Sequence, residues 1–259
     1  MIPVVVKNCK IGEGKTKIIV PIVAPTREAI LAEAKTFHTI PVDVVEWRID
    51  LYEDVRSAEK VIETAGMLQE VLDDIPLLVT YRSAIEGGKT QEEIDNDLTP
   101  AAYGELLKAV CASGKADLVD VEIFIGDEVV KEVIEAAHAN GVKVIASNHD
   151  WTATPSQSDI VYRLRKMQDA GADIPKIAVT PTCKKDVITL LAATEEMATN
   201  FATCPLITMS MRGMGGISRL VGEALGSAMT FGAAAKASAP GQIDVNQLDT
   251  VLETIHNSL

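Results

Sequence analysis

Lys176 stands near the start of PKIAVT, residues 175 to 180, where Ile177, Ala178 and Val179 read as a buried strand between the Gly171 turn and Pro181. A lysine at a strand end can simply pack its stem and keep its ammonium in water. If Ile177 and Val179 instead meet a helix layer, Lys176 points into an enclosed space with Ala178 and Thr180. Enclosure disfavours the charged amine, and cations such as Arg48 and Arg82 close by would push the same way. A neutral amine attacks ketones, and the resulting Schiff base is an electron sink for breaking a neighbouring C–H bond. The proton carrier for such chemistry is His149, at the end of VKVIASN, 142 to 148, because imidazole titrates near neutrality. Ser-Asn-His-Asp is also good turn chemistry, so His149 could equally satisfy local backbone groups.

Other polar residues follow the same alternation. In VDVVEWR, 42 to 48, outward Val45 and Trp47 leave Glu46 and Arg48 facing inward. In PLLVTYR, 76 to 82, Thr80 and Arg82 share that parity, and Glu86 follows in SAIEGG. Glu46 with Arg48, and Arg82 with Glu86, could be plain internal ion pairs. PLITMSM, 205 to 211, offers Met209 and Met211. GMGGIS, 213 to 218, could form a phosphate loop or a flexible turn. Arg219 could bind a substrate carboxylate or a structural one. KASAPGQ, 236 to 242, has the small residues and Pro-Gly turn of a lid, or of an ordinary surface loop.

Something must bring these residues together. Eight β-rich runs recur, the five above with KIIVPIV (17 to 23), DLVDVEI (117 to 123) and SAMTFGA (227 to 233). Helix-period segments such as REAILAEAKTF and DEVVKEVIEAAHANG separate most of them, while 212 to 226 leaves room for only a short helix. This pattern predicts an α/β protein, a (β/α)8 TIM barrel closed by a helix near 244 to 257, with active residues at the C-terminal strand ends. VVVKNCKIGEG reads as an N-terminal β-hairpin covering the barrel floor. No low-complexity stretch or Pro-rich linker divides residues 1–259, which are expected to form one domain.

Composition narrows the partners. A net charge of -13 argues against a nucleic-acid surface, which needs clustered Lys and Arg. Cys9, Cys111, Cys183 and Cys204 are scattered, without metal-ligand spacing, and fit reduced thiols in a cytosol. The first residues lack the order of a signal peptide, and no apolar run approaches the length of a membrane span. A cytoplasmic protein is expected.

VEWRID, TYRSAIEGG, SNHD, PKIAV, ITMSM, SRL, GSAMTFG and KASAPGQI, in that order along the chain, resemble type I 3-dehydroquinate dehydratase, the Schiff-base enzyme of the shikimate pathway. The resemblance implies a barrel homodimer that acts on 3-dehydroquinate and needs no metal or organic cofactor. It also implies roles: Lys176 as the imine-forming lysine, His149 as proton carrier and Glu86 as the group orienting the imidazole. Glu46, Arg48 and Arg82 then resemble the partners of ring hydroxyls, and Arg219, Ser238 and Gln242 those of the carboxylate. Met209, Met211, Phe231 and Ala239 would line the pocket. Pro21 departs from the serine that many members have, and Trp151 from a frequent phenylalanine.

Two other functions compete. A class I aldolase would share the lysine but favour a phosphate loop near strands seven and eight. A non-catalytic barrel could bind a small carboxylate and regulate a partner. Borohydride trapping separates the latter, since only an imine-forming protein is loaded covalently.

Overall fold

The computed structural model describes residues 1–234 and 241–259. Its strands are β1 (Val4–Val6), β2 (Cys9–Ile11), β3 (Lys17–Ile22), β4 (Val44–Arg48), β5 (Leu77–Thr80), β6 (Leu118–Glu122), β7 (Lys143–Asp150), β8 (Ile174–Val179), β9 (Ile207–Ser210), β10 (Met229–Ala233) and β11 (Ile243–Asp244). The helices are α1 (Arg27–Thr36), α2 (Ala58–Leu72), α3 (Gln91–Asp95), α4 (Pro100–Ala112), α5 (Asp127–Ala139), α6 (Gln157–Asp169), α7 (Lys184–Asn200), α8 (Ile217–Leu220), α9 (Gly222–Leu225) and α10 (Val245–His256). β3 to β9 pair in parallel in chain order, and β10 pairs with β3. A parallel bridge between Leu206 and Ser227 joins β9 to the start of β10, so the sheet closes into the expected (β/α)8 barrel. The interval after β9 holds the short α8 and α9, as its length required.

Alternation along the strands sorts the side chains. Val20, Val45, Trp47, Val79, Val121, Ala146 and Ile177 pack outward against the helices. Inside, Ile19, Val44, Leu78, Leu118, Ile145, Ile174, Ile207 and Met229 make an apolar lower layer. The next inward positions along the strands are polar on most of them: Glu46, Thr80, Asp120, Ser147 and Lys176. A dry floor under a polar mouth therefore follows from where each strand switches residue type.

The antiparallel β1–β2 hairpin pairs Val4 with Ile11 and packs Val4, Val6 and Ile11 against that lower layer, as expected of a floor cover. Three aspartates brace the same end: Asp43, Asp117 and Asp173 accept from the backbone N–H of Ile18, Leu77 and Val144 on the neighbouring strand. Each satisfies a donor that would otherwise lack a partner at the start of a strand. Ile11→Ala should lower unfolding free energy by about 2–5 kcal/mol, because Ile11 is fully buried at the floor. Urea unfolding monitors this, and the folded fraction should keep its turnover number, since the hairpin lies at the opposite end from the polar mouth.

Candidate active site

The polar mouth opens into a cavity of about 490 Å³. Lys176, Glu46, Arg48 and Arg82 line it with Glu86 and His149, so residues spread over more than a hundred positions of sequence meet in one space. Lys176 lies inside β8 and is buried. Its Nζ is 3.1 Å from Asp120 Oδ2 and 4.0 Å from Glu46 Oε1, and 4.8 Å from the centre of the Phe231 ring. The sequence reading put arginines beside this amine. Carboxylates reach it instead, because Asp120 stands between Lys176 and Arg82 and accepts from both.

β7 runs through Asp150, two residues beyond the expected end, so His149 is held within the sheet opposite Ala178 rather than in a loop. Its Nδ1 is 3.0 Å from Glu86 Oε2, the same oxygen that accepts from the His149 backbone N–H at 2.9 Å. Asn148 Nδ2 donates to Glu86 Oε1 at 3.0 Å. Burial, then the cations Arg82, Lys176 and Arg48, hold the imidazole well below its ordinary range. Burial and the nearby Glu122 push Glu86 up to about 8, against the pull of Arg82 and Asn148. With Glu86 on Nδ1, the imidazole has its Nε2 left for a substrate proton.

Neither ion pair weighed from the sequence is the main one. Arg48 makes a two-point pair with Asp50, both contacts 2.7 Å, rather than pairing with Glu46, which accepts from Thr80. Arg82 donates to Asp120 at 2.8 Å and to Glu122 at 2.7 Å, while Glu86 is 3.7 Å away. Ser147 is its third partner. Asp120 and Glu122 went unassigned in the sequence, although strict alternation through LVDVE marks both as inward. Burial alone would raise Asp120, but Arg82 and Lys176 overcome it and hold the carboxyl below its usual range.

Across the cavity stand Met209, Met211, Phe231, Arg219 and Gln242. Arg219 is 1 % exposed, and its Nε and Nη2 have no hydrogen-bond partner among the described residues. Its Nη1 donates to the Met209 sulfur at 3.7 Å. Burial pushes it down to about 10. A buried guanidinium without a counter-charge is costly, and a ligand anion would satisfy it. Ser238, Ala239 and the rest of 235–240 lie outside the described residues, so only Gly241 and Gln242 of the lid segment can be placed. Within GMGGIS, a Cβ on Gly215 would lie 2.2 Å from the Ser210 carbonyl oxygen, so glycine there permits close packing on β9, whereas Gly213 has open space beside it.

A lysine amine, an imidazole and a guanidinium without a carboxylate partner among the described residues thus share one cavity. The model of the type I 3-dehydroquinase family matches residues 18–259. The chain belongs to the type I 3-dehydroquinase family. Membership makes it a carbon–oxygen lyase. It is 51% identical to the 3-dehydroquinate dehydratase of Listeria monocytogenes, over 98% of each chain. With the enzyme of that name from Clostridioides difficile it shares 50% identity, over 98% of this chain and 97% of the relative. A crystal structure of type I 3-dehydroquinate dehydratase from Clostridium difficile, carrying covalently modified comenic acid, superposes with a TM-score of 0.94 at 49% identity, covering 99% of both chains. No helix among the described residues is long and apolar enough to cross a membrane.

Of this 3-dehydroquinase's two departures in sequence, only one touches the cavity. Trp151 lines it, donates from its indole nitrogen to the Glu86 carbonyl and lies flat under Gly88, where a Cβ would come within 2.7 Å of the ring. Pro21 is buried in β3 beside Glu46 and is not among the lining residues.

Proposed function

We propose that the chain eliminates water from 3-dehydroquinate to give 3-dehydroshikimate, with Lys176 forming the Schiff base and His149 carrying the proton. Lys176 adds to the C3 ketone, and His149 assists loss of water from the carbinolamine. The iminium nitrogen then occupies the place of the ammonium, where Asp120, Glu46 and the Phe231 ring face stabilise its positive charge. His149 removes the C2 proton, and the electron pair rests in an enamine. Its return expels the C1 hydroxyl as His149 gives back a proton, and hydrolysis frees the product. One base on one face suits a syn elimination. Glu86 orients the imidazole throughout. Glu46, Arg48 and Arg82 meet the ring hydroxyls, and Met209, Met211 and Phe231 form the apolar wall.

The observation that carries this reading is Arg219. Arg219 lines the same cavity as Lys176, and its Nε and Nη2 have no hydrogen-bond partner among the described residues, which supports a substrate with an anionic group set apart from its ketone. An aldolase reading lacks comparable support, since the glycines of 213–216 are not among the residues that line the cavity, whereas Arg219 is. A cytoplasmic location is supported by the free thiols of Cys9, Cys111, Cys183 and Cys204. The homodimer that the family resemblance implies belongs to the same proposal, with the exposed Ile85, Phe124, Tyr162 and Ile188 as apolar surface that a partner could cover.

Carboxylate contacts exist before elimination as well as during it, so they act mainly on KM. Arg219→Ala should raise KM roughly ten- to hundredfold, the worth of a charge-assisted pair of about 1.5–3 kcal/mol, and lower kcat less. Gln242→Ala should do the same more weakly. The assay follows the conjugated enone of the product on adding 3-dehydroquinate. No absorbance change with the unaltered protein refutes the reaction, while unchanged KM in both variants removes the carboxylate from this side of the cavity.

A further inference from the structure

The Glu86 carboxylate is clasped from three directions, and one clasp leads out of the barrel. Asn148 Nδ2 donates to Glu86 Oε1, and Arg163 Nη1 donates to the other end of the same amide, Asn148 Oδ1, at 2.9 Å. A side-chain amide can offer either its oxygen or its nitrogen to a neighbour. Arg163 has donors only, so it compels the oxygen to face outward and the nitrogen to face Glu86. Arg163 is itself fixed on α6, by Asp159 one turn earlier at 2.7 Å, by Asp150 at 3.7 Å and by the Phe124 ring 5.9 Å below it. Neither Arg163 nor Asn148 lines the cavity.

We propose that Arg163 is a positioning residue for the Glu86–His149 pair, acting through the orientation of Asn148. This rests on the proton-carrying role assigned to His149 above. The charged groups around Glu86 are Arg82 on its own loop, Asp120 and Glu122 from β6, and His149 from β7. Two of these are carboxylates that disfavour a further negative charge, so a donor aimed at Oε1 counts toward keeping Glu86 ionised. Without Arg163 the amide can turn its oxygen to Glu86, which must then hold a proton to make that contact. Whichever of Glu86 and His149 carries the extra proton, the pair then keeps it to higher pH. The base is lost earlier as pH falls.

Arg163→Met keeps the stem and removes the donors. The expected result is an acid limb of kcat/KM displaced upward by about half to one pH unit, hence a roughly threefold to tenfold loss of kcat/KM below the limb. KM should stay within about twofold, because the residue does not touch substrate. Arg163→Lys should recover most of the profile by restoring a donor that cannot accept. In an Asn148→Ala background the Arg163 substitution should add nothing, since the path runs through that amide. NMR titration of His149, identified by its absence in His149→Ala, reads the same displacement with no turnover involved. A displaced titration with unaltered turnover would therefore refute the role of His149 and spare this proposal. An unmoved titration and pH profile in Arg163→Met overturns it, as does a KM effect alone, or a uniform activity loss at every pH accompanied by a lower Tm.

Discussion

Lys176→Ala loses turnover down to background while the barrel stays folded. The amine is the group that joins the substrate, and among the lysines of the described residues Lys176 is the one that lies beside both Asp120 and Glu46. The fold survives because Asp120, which would be left as a buried charge, still accepts from Arg82 at 2.8 Å and from Ser147 at 2.6 Å. Thermal unfolding should show a native-like transition. Borohydride added to the unaltered protein with 3-dehydroquinate should raise its mass by one reduced adduct, and the peptide holding Lys176 should carry it. Adduct on a peptide with any other lysine overturns the assignment, and so does normal trapping of Lys176→Ala.

His149→Ala separates the two halves of the reaction. Imine formation needs the amine and can go forward slowly, whereas C2 deprotonation and departure of the hydroxyl need a proton carrier at the reacting atoms. A positioned acid–base group is worth roughly 100- to 10,000-fold, and His149 is asked to act more than once, so kcat should fall by at least that range. Trapping with borohydride should nonetheless load Lys176. The imidazole lies well below its ordinary range through burial and the Arg82, Lys176 and Arg48 cations, so the unaltered enzyme keeps its base form at pH values where a free histidine is charged. Near-normal turnover in His149→Ala would remove the histidine from the mechanism. Loss of trapping as well would move its role back to carbinolamine formation.

The inward positions were legible because a β-strand has a period of two and one face of each barrel strand must meet the helices. Once Val45, Trp47, Ile177 and Val179 are put outward, Glu46, Arg48 and Lys176 have nowhere to point but in, and they do. The same rule would have found Asp120 and Glu122. What hid them is that Val119 and Val121 make LVDVE look like an ordinary buried strand, and two acids there have no local sign that an arginine 38 to 40 residues away neutralises them. Turn chemistry held at Asp150, which accepts from Thr152 and Ala153 in the turn that follows, but not at Asn148, a strand residue whose side chain serves Glu86.

By itself the sequence determined the barrel, its floor cover, the inward direction of Glu46, Arg48, His149 and Lys176 and, through its motifs, the family. These depend on alternation, helix periodicity and order along the chain, all local properties. Tertiary structure alone decided who pairs with whom across the barrel: Arg82 with Asp120 and Glu122, Lys176 with Asp120, and Arg219 with no described hydrogen-bond partner but a methionine sulfur. Ion pairs across a barrel are set by strand stagger and by which side chain reaches farthest into a crowded interior. A difference of one or two ångströms there chooses between partners that the sequence presents as equivalent.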